Sequence, residues 1–143
     1  MINRYSYINI YENKNKNSKL SSQILYGEKF TILKRYKDWY KIKTSYDKYV
    51  GFIKRKKFES LVHRPTHKVS SLKAKVYLRP YKTSKVRMEL SFTSLIQVKS
   101  SNKGFFYFDN YWIQKTDVVP LNYKENIFQR IKIFRNVKYK WGG

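Results

Sequence analysis

The sequence has no cysteine among its 143 residues. Disulfides, thiolate metal sites and a cysteine nucleophile are therefore excluded within these residues. Acidic residues are also scarce, because 9 Asp and Glu stand against 32 Lys and Arg, for a formal net charge of +23. Such a charge attracts polyanions, including nucleic acid, anionic lipid and anionic wall polymer. Coding bias toward AT-rich codons would scatter lysines in the same way, so both interpretations stay open.

Long apolar runs are absent as well. No stretch approaches the length that crosses a membrane, and residues 1–7 carry no secretion signal. We therefore predict a cytoplasmic protein with no membrane span, with the cell envelope as the alternative location. The chain is 41% apolar and 18% aromatic, which supplies real hydrophobic cores and excludes a disordered chain.

Residues 24–53 are predicted to form a three-stranded meander after a glycine bend at Gly27. Apolar and polar residues alternate in 29–33 and again in 38–43, and this period of two is typical of half-buried strands. A polar turn at 45–48 leads into the third strand at 49–53. Ahead of the meander, Ile8 and Ile10 mark one side of a first strand, and residues 12–19 read as an exposed loop.

The basic run Lys54-Arg55-Lys56-Lys57 comes directly after the meander. It could bind a phosphate, but a run of this kind is more often a solvated edge. Residues 58–61 are predicted to form a one-turn helix after it.

A connector with Pro65 leads to a second copy of the same pattern. The matched segments are 76–78 with 8–10, 80–85 with the polar loop, 95–98 with 29–32, and 104–108 with 38–42. In this alignment Thr93 takes the place of Gly27 and Ile113 that of Gly51, so the second copy is expected to be a more divergent barrel. Pro120 closes it, and apolar residues at helical spacing then predict a helix over 126–136.

The predicted fold is therefore all-β, with two small β-barrels in tandem and a short C-terminal α-helix. The predicted boundaries are residues 1–62 for the first barrel, 63–70 for the connector, 71–121 for the second barrel and 122–143 for the helix together with the last residues of the sequence.

Three motifs, in this order, resemble the NlpC/P60 family of cysteine peptidases. The first is Leu25-Tyr26-Gly27-Glu28 with Asp38-Trp39 and Tyr49-Val50-Gly51-Phe52, which is similar to the first bacterial SH3 (SH3b) domain of that family. The second is the connector 65–70, and the third is Tyr139-Lys140-Trp141-Gly142-Gly143, which resembles the start of the papain-like catalytic domain. One departure is Lys138, where the family usually has proline.

The resemblance implies two SH3b barrels ahead of a γ-D-glutamyl-diamino acid endopeptidase that cuts the stem peptide of peptidoglycan. The family's nucleophile lies in an Asp-Cys-Ser-Gly segment after the Trp-Gly-Gly turn, and this sequence stops before such a segment. Because the chemistry needs a thiolate, we expect no catalysis and no catalytic residue here. The expected function is binding of peptidoglycan or muropeptides for a catalytic domain that is missing or encoded separately.

Four aromatic residues are candidates for substrate binding through this resemblance. Tyr49 is the preferred match to the tyrosine that lines the groove for the L-Ala end of the stem peptide, with Trp39 beside it. Tyr139 borders the cleft in the family and Trp141 shapes the turn. Packing within the core or between strands is the alternative for the aromatic residues of the strands.

The two histidines, His63 and His67, lie in the connector. They lack a nucleophile partner and a carboxylate cluster, so we predict neither catalysis nor a metal site, and no cofactor. His67 is expected to serve in interdomain packing or hydrogen bonding. The alternative function is a basic SH3-like barrel that binds nucleic acid through its charge and its stacking aromatics.

Overall fold

A computed structural model describes residues 1–15, 17–60, 62–124, 132, 134–135 and 137. The chain divides into two compact units, with the boundary between His63 and Arg64. No helix in the described ranges is long and apolar enough to cross a membrane.

The first unit is one five-stranded antiparallel sheet. Its strands are β1 (Tyr7–Tyr11), β2 (Leu20–Leu25), β3 (Phe30–Arg35), β4 (Trp39–Thr44) and β5 (Val50–Lys54). Their order in the sheet is β2-β1-β5-β4-β3. The predicted meander is confirmed as β3, β4 and β5, because its alternating apolar residues share one face. That face buries a core of Ile8, Ile10, Ile24, Phe30, Tyr40, Ile42 and Ile53.

The turn between β2 and β3 is closed by the residues of the motif itself. Gly27 adopts φ +81°, a left-handed conformation that glycine takes at no steric cost. The Leu25 N–H donates to a Glu28 carboxylate oxygen at 2.7 Å, and the Glu28 N–H donates back to the Leu25 carbonyl at 3.2 Å. The predicted glycine bend is therefore confirmed, with Glu28 as its second half.

The predicted one-turn helix at 58–61 is wrong for its described part. Glu59 instead pairs as a single antiparallel bridge with Ile2, which also bridges to Lys29. Helical propensity in so short a segment is overridden by this pairing, which ties the first residues of the chain to two distant segments.

The second unit contains two antiparallel sheets. One has the order β10-β11-β12-β7-β8 and the other β13-β6-β9. A 3-10 helix, Lys115–Asp117, precedes the last strand. The strands are β6 (His67–Val69), β7 (Lys73–Tyr77), β8 (Val86–Ser91), β9 (Leu95–Ile96), β10 (Ser100–Asn102), β11 (Phe105–Phe108), β12 (Tyr111–Gln114) and β13 (Val118–Pro120).

The second unit repeats the hydrogen-bonding pattern of the first at a constant separation in sequence, as far as β11. The bulge at Ile10 in β1 recurs at Val76 in β7. The loops 12–19 and 78–85 are closed by the same three backbone bonds at matching positions. This register confirms the predicted match of Thr93 with Gly27, since Thr93 has φ +67° in the corresponding turn.

Two details of the predicted alignment are wrong. Val76 corresponds to Ile10 rather than Ile8, because the two bulges fix the register. Tyr111, rather than Ile113, takes the position of Gly51, since Tyr111 pairs with Phe108 as Gly51 pairs with Ile42. The turn between β11 and β12 is shorter than the one between β4 and β5, and this difference in length misled the alignment.

The all-β prediction is confirmed, while the prediction of closed barrels is not. In the described residues each of the three sheets is open, with strands such as β2 and β3 at the edges. Most of the predicted helix at 126–136 lies outside the described residues. Phe134 is described, and its ring makes an edge-to-face contact with Phe92 at 5.1 Å between centroids.

Candidate ligand-binding site

A pocket opens between β1 and β5 in the first unit. These two strands are paired at Tyr11 and Phe52, and no second pair joins them in the described residues, so a space of about 230 Å³ remains beside that contact. We call this space the β1–β5 pocket. It is lined by Tyr7, Ile8, Asn9, Tyr11, Lys54 and Lys56.

The polar groups of the β1–β5 pocket suit an anion. Lys54 and Lys56 both line it, and neither is paired with a carboxylate in the part of the chain that the structure describes. The Asn9 carbonyl oxygen accepts a bond from the Gln23 amide at 2.9 Å, which leaves the Asn9 amide N–H groups as donors. The Lys56 ammonium also lies 4.4 Å from the centre of the Tyr5 ring, a cation–π contact that holds it in place.

Trp39 packs against Tyr11, which lines the pocket. Its ring is only 9% exposed and meets Tyr11 edge to face at 5.5 Å and 89°. Tyr77 and Phe105 form the same T-shaped pair in the second unit, at 5.7 Å and 89°. Because the pair recurs at matching positions, Trp39 orients Tyr11 as part of the scaffold rather than lining the pocket itself.

Tyr49 lies away from the β1–β5 pocket. It is half-buried against the core on the same face as Ile53, while Trp39 is on the opposite face. Trp39 begins β4 and Tyr49 precedes β5, so the two side chains are at opposite ends of the hairpin. The structure therefore does not bring the two predicted residues together. Tyr139 and Trp141 lie outside the described residues.

The titratable groups with shifted pKa values lie elsewhere. Burial raises the pKa of the Glu28 carboxyl, and the Thr44 hydroxyl, which donates to the Asp47 carboxylate, lowers the pKa of Asp47. Burial lowers the pKa of the His67 imidazole, whose Nδ1 is 2.9 Å from the Thr66 hydroxyl. Among the described residues no cluster of three or more His, Cys, Asp or Glu could hold a metal ion.

The sequence interpretation missed the β1 side of the pocket. Ile8 and Ile10 were predicted to share one side of the first strand, and by the period of two this places Tyr7, Asn9 and Tyr11 on the other side. That alternation was the available signal. Lys54 and Lys56 of the basic run are likewise two positions apart, and both line the pocket.

Comparison with known proteins connects this unit to a family. The family described as "Bacterial dipeptidyl-peptidase Sh3 domain" matches residues 10–58, which include Tyr11, Lys54 and Lys56 of the pocket. No curated protein matches the chain.

Two solved structures resemble the chain. An NlpC/P60 family protein from Bacillus cereus aligns with 92% of this chain and 62% of its own length, at 14% identity and a TM-score of 0.72. NlpC2 from Trichomonas vaginalis aligns with 86% of this chain and 46% of its own at 14% identity, but its TM-score of 0.34 is too low to indicate a shared fold. The chain thus spans less than two thirds of the Bacillus cereus structure and shares its fold. The predicted resemblance to bacterial SH3 domains and NlpC/P60 proteins is confirmed.

Proposed function

Because residues 10–58 match a family of bacterial SH3 domains, we propose that this chain is a non-catalytic region that binds the peptide part of the cell wall. The second unit is then a second SH3b domain, which its matching bulge and loop bonds support. A catalytic thiol would have to lie outside these residues, since they contain no cysteine.

The observation that carries the proposal is the chemistry of the β1–β5 pocket. A γ-linked D-glutamyl residue leaves its α-carboxylate free, so a stem peptide presents a carboxylate within its chain. Lys54 and Lys56 supply positive charge for that carboxylate, and the Asn9 amide supplies a neutral donor. The Tyr7 and Tyr11 rings supply apolar contact for the small side chains of the peptide. The pocket thus offers positive charge, a neutral donor and apolar contact to such a fragment.

A titration with the tripeptide L-Ala-γ-D-Glu-L-Lys tests this function. We expect saturable binding whose affinity falls more than about tenfold in Lys54→Gln/Lys56→Gln, because the loss of even one charge-assisted hydrogen bond costs about 1.5–3 kcal/mol. The matched control is Lys73→Gln/Lys75→Gln, which removes two exposed lysines with the same spacing from β7 of the second unit.

Two results would contradict the pocket assignment. One is equal loss of affinity in the two double variants, which would indicate a diffuse charge effect. The other is full binding by Lys54→Gln/Lys56→Gln together with lost binding in Tyr49→Phe, which keeps the core packing of Tyr49. The proposed contact of Tyr49 with the L-Ala end would then define the site instead.

Nucleic-acid binding is the second candidate, because aromatic rings and lysines share the outer face of the sheet. Salt dependence separates the two functions. Binding to arbitrary oligonucleotides that falls steeply with salt, without saturable tripeptide binding, would favour nucleic acid.

A further inference from the structure

Four residues form a row across the outer face of the first unit. Tyr11 of β1 is paired with Phe52 of β5, Phe52 with Lys41 of β4, and Lys41 with Lys34 of β3. Directly paired residues of neighbouring strands point to the same face. This face is opposite to the core face of Ile42. The row therefore begins at the β1–β5 pocket and ends in Lys41 and Lys34, about 10 Å and about 14 Å from Tyr11 at two and three strand spacings.

A third lysine joins the end of the row. The Lys14 ammonium, from the loop between β1 and β2, lies 4.2 Å from the centre of the Tyr36 ring. The Lys34 ammonium lies 5.6 Å from the same centre. We call Lys14, Lys34 and Lys41 the lysine cluster. Its members come from three separate elements: Lys14 and Lys34 lie over one aromatic ring, and Lys41 is the cross-strand partner of Lys34.

This arrangement carries an electrostatic cost. Like charges directly opposite each other on neighbouring strands destabilise a sheet, and Lys34 faces Lys41 in this way. A bound anion removes the cost, because it replaces repulsion between ammonium groups with attraction to a shared partner.

The scaffold does not require the lysines. The matching row of the second unit runs from Tyr77 to Trp112, then to Tyr107 and Ser100. The two aromatic ends of the rows are alike, but an uncharged pair, Tyr107 and Ser100, takes the place of the two lysines. The lysine cluster is thus a property of the first unit.

We propose that the lysine cluster binds a phosphate group of a phosphodiester polymer that lacks bases. A tetrahedral phosphate presents several acceptor oxygens, to which the ammonium groups of neighbouring lysines can donate together. Lys14 and Lys34 already lie over the Tyr36 ring, where they compete with a nucleobase for stacking. An anionic chain without bases fits this surface better than a nucleic acid. The site is separate from the stem-peptide pocket and extends the chain's ligands beyond it.

The test compares two triple variants of the full chain with equal net charge. Poly(glycerol phosphate) is titrated into the unmodified chain, into Lys14→Gln/Lys34→Gln/Lys41→Gln, and into the control Lys73→Gln/Lys75→Gln/Lys82→Gln. We expect the cluster variant to lose about tenfold or more in affinity at near-physiological salt, and the control less than about threefold. NMR should show that the polymer changes the backbone amide chemical shifts of Lys14, Lys34, Tyr36 and Lys41.

Three outcomes would overturn the proposal. Equal losses in both triple variants would show that only the overall charge attracts the polymer. Shifts confined to other residues would place the polymer elsewhere. Binding of single-stranded oligo(dT) more tightly than poly(glycerol phosphate), through the same lysines, would identify nucleic acid as the ligand. Because the cluster variant retains Lys54 and Lys56, its tripeptide binding should be unchanged, which distinguishes failure here from failure of the pocket.

Discussion

At the scale of single residues, the two units differ in how they make the same left-handed turn. Gly27 has φ +81° in the first unit and Thr93 has φ +67° in the second. In each turn the N–H of this residue donates to the backbone near the start of its unit, to Asn3 at 2.9 Å and to Val69 at 3.0 Å. A β-branched residue is unfavourable at positive φ, because its Cβ crowds the neighbouring carbonyl. The bond to Val69 holds Thr93 in this strained conformation.

Replacing Thr93 by glycine should therefore stabilise the protein. We expect Thr93→Gly to raise the free energy of unfolding by about 0.5–1 kcal/mol, since relief of roughly 1–2 kcal/mol of strain exceeds the entropy cost of glycine. Urea denaturation followed by tyrosine and tryptophan fluorescence measures the change. Thr93→Ala is the control, because alanine keeps the Cβ and should bring no gain. A stabilised alanine variant would mean that the strain is not at this Cβ.

At the scale of elements, the approach of β1 to β5 depends on Gly51. A Cβ at this position would lie 2.4 Å from Ile10 Cγ2 and 3.1 Å from the Tyr11 carbonyl oxygen. The absence of a side chain is thus what lets β1 pack on β5 where Tyr11 pairs with Phe52. The β1–β5 pocket lies beside this contact, so its shape depends on how closely the two strands approach.

Gly51→Ala should separate the two strands. We expect a loss of about 2–3 kcal/mol in the free energy of unfolding, because overpacking in a well-packed core forces the backbone to shift. Gly104→Ala is a matched control, since nothing lies within 4 Å of its Cβ position and only its φ of +82° opposes the change. A smaller loss in Gly51→Ala than in Gly104→Ala would contradict this account of the strand contact.

The elements differ in how far the sequence could predict them. The meander and the Gly27 bend depend on neighbours in sequence, and the period of two around Phe30 and Ile42 was enough to find them. Pairing between β1 and β5 joins residues about forty positions apart and leaves no local pattern. The pocket as a whole therefore could not be predicted, although alternation in β1 indicated one side of it, and Lys54 and Lys56 were visible only as part of a basic run. The placement of Tyr49 away from Trp39 likewise depends on the face that each residue occupies.

At the scale of the whole molecule, the formal net charge of +23 opposes the compact state. Self-repulsion of this size destabilises a folded chain, while dissolved salt screens it within a Debye length of about 10 Å at 0.1 M. Lys34 and Lys41, which are paired across two strands, show the same repulsion between positive charges locally.

Salt should accordingly raise the melting temperature. We expect Tm to increase by several degrees, on the order of 1 kcal/mol of stability, between about 0.02 M and 0.5 M NaCl. Thermal unfolding followed by circular dichroism measures this change. Lys73→Gln/Lys75→Gln/Lys82→Gln should show a smaller increase because it carries less charge. A salt response that is the same in both proteins would point to a cause other than self-repulsion.

The loops after β1 and β7 have a consequence for how such a chain can change. Each is closed by backbone bonds and by one serine hydroxyl, with Ser18 accepting from the Asn13 N–H and Ser84 from the Arg79 N–H. The closure makes no use of the Lys14 side chain. The residue at position 14 can therefore be replaced in evolution without disturbing the backbone of the loop. The two loops share the same closure, and a library of substitutions at position 14 alone would test new ligands on an unchanged loop backbone.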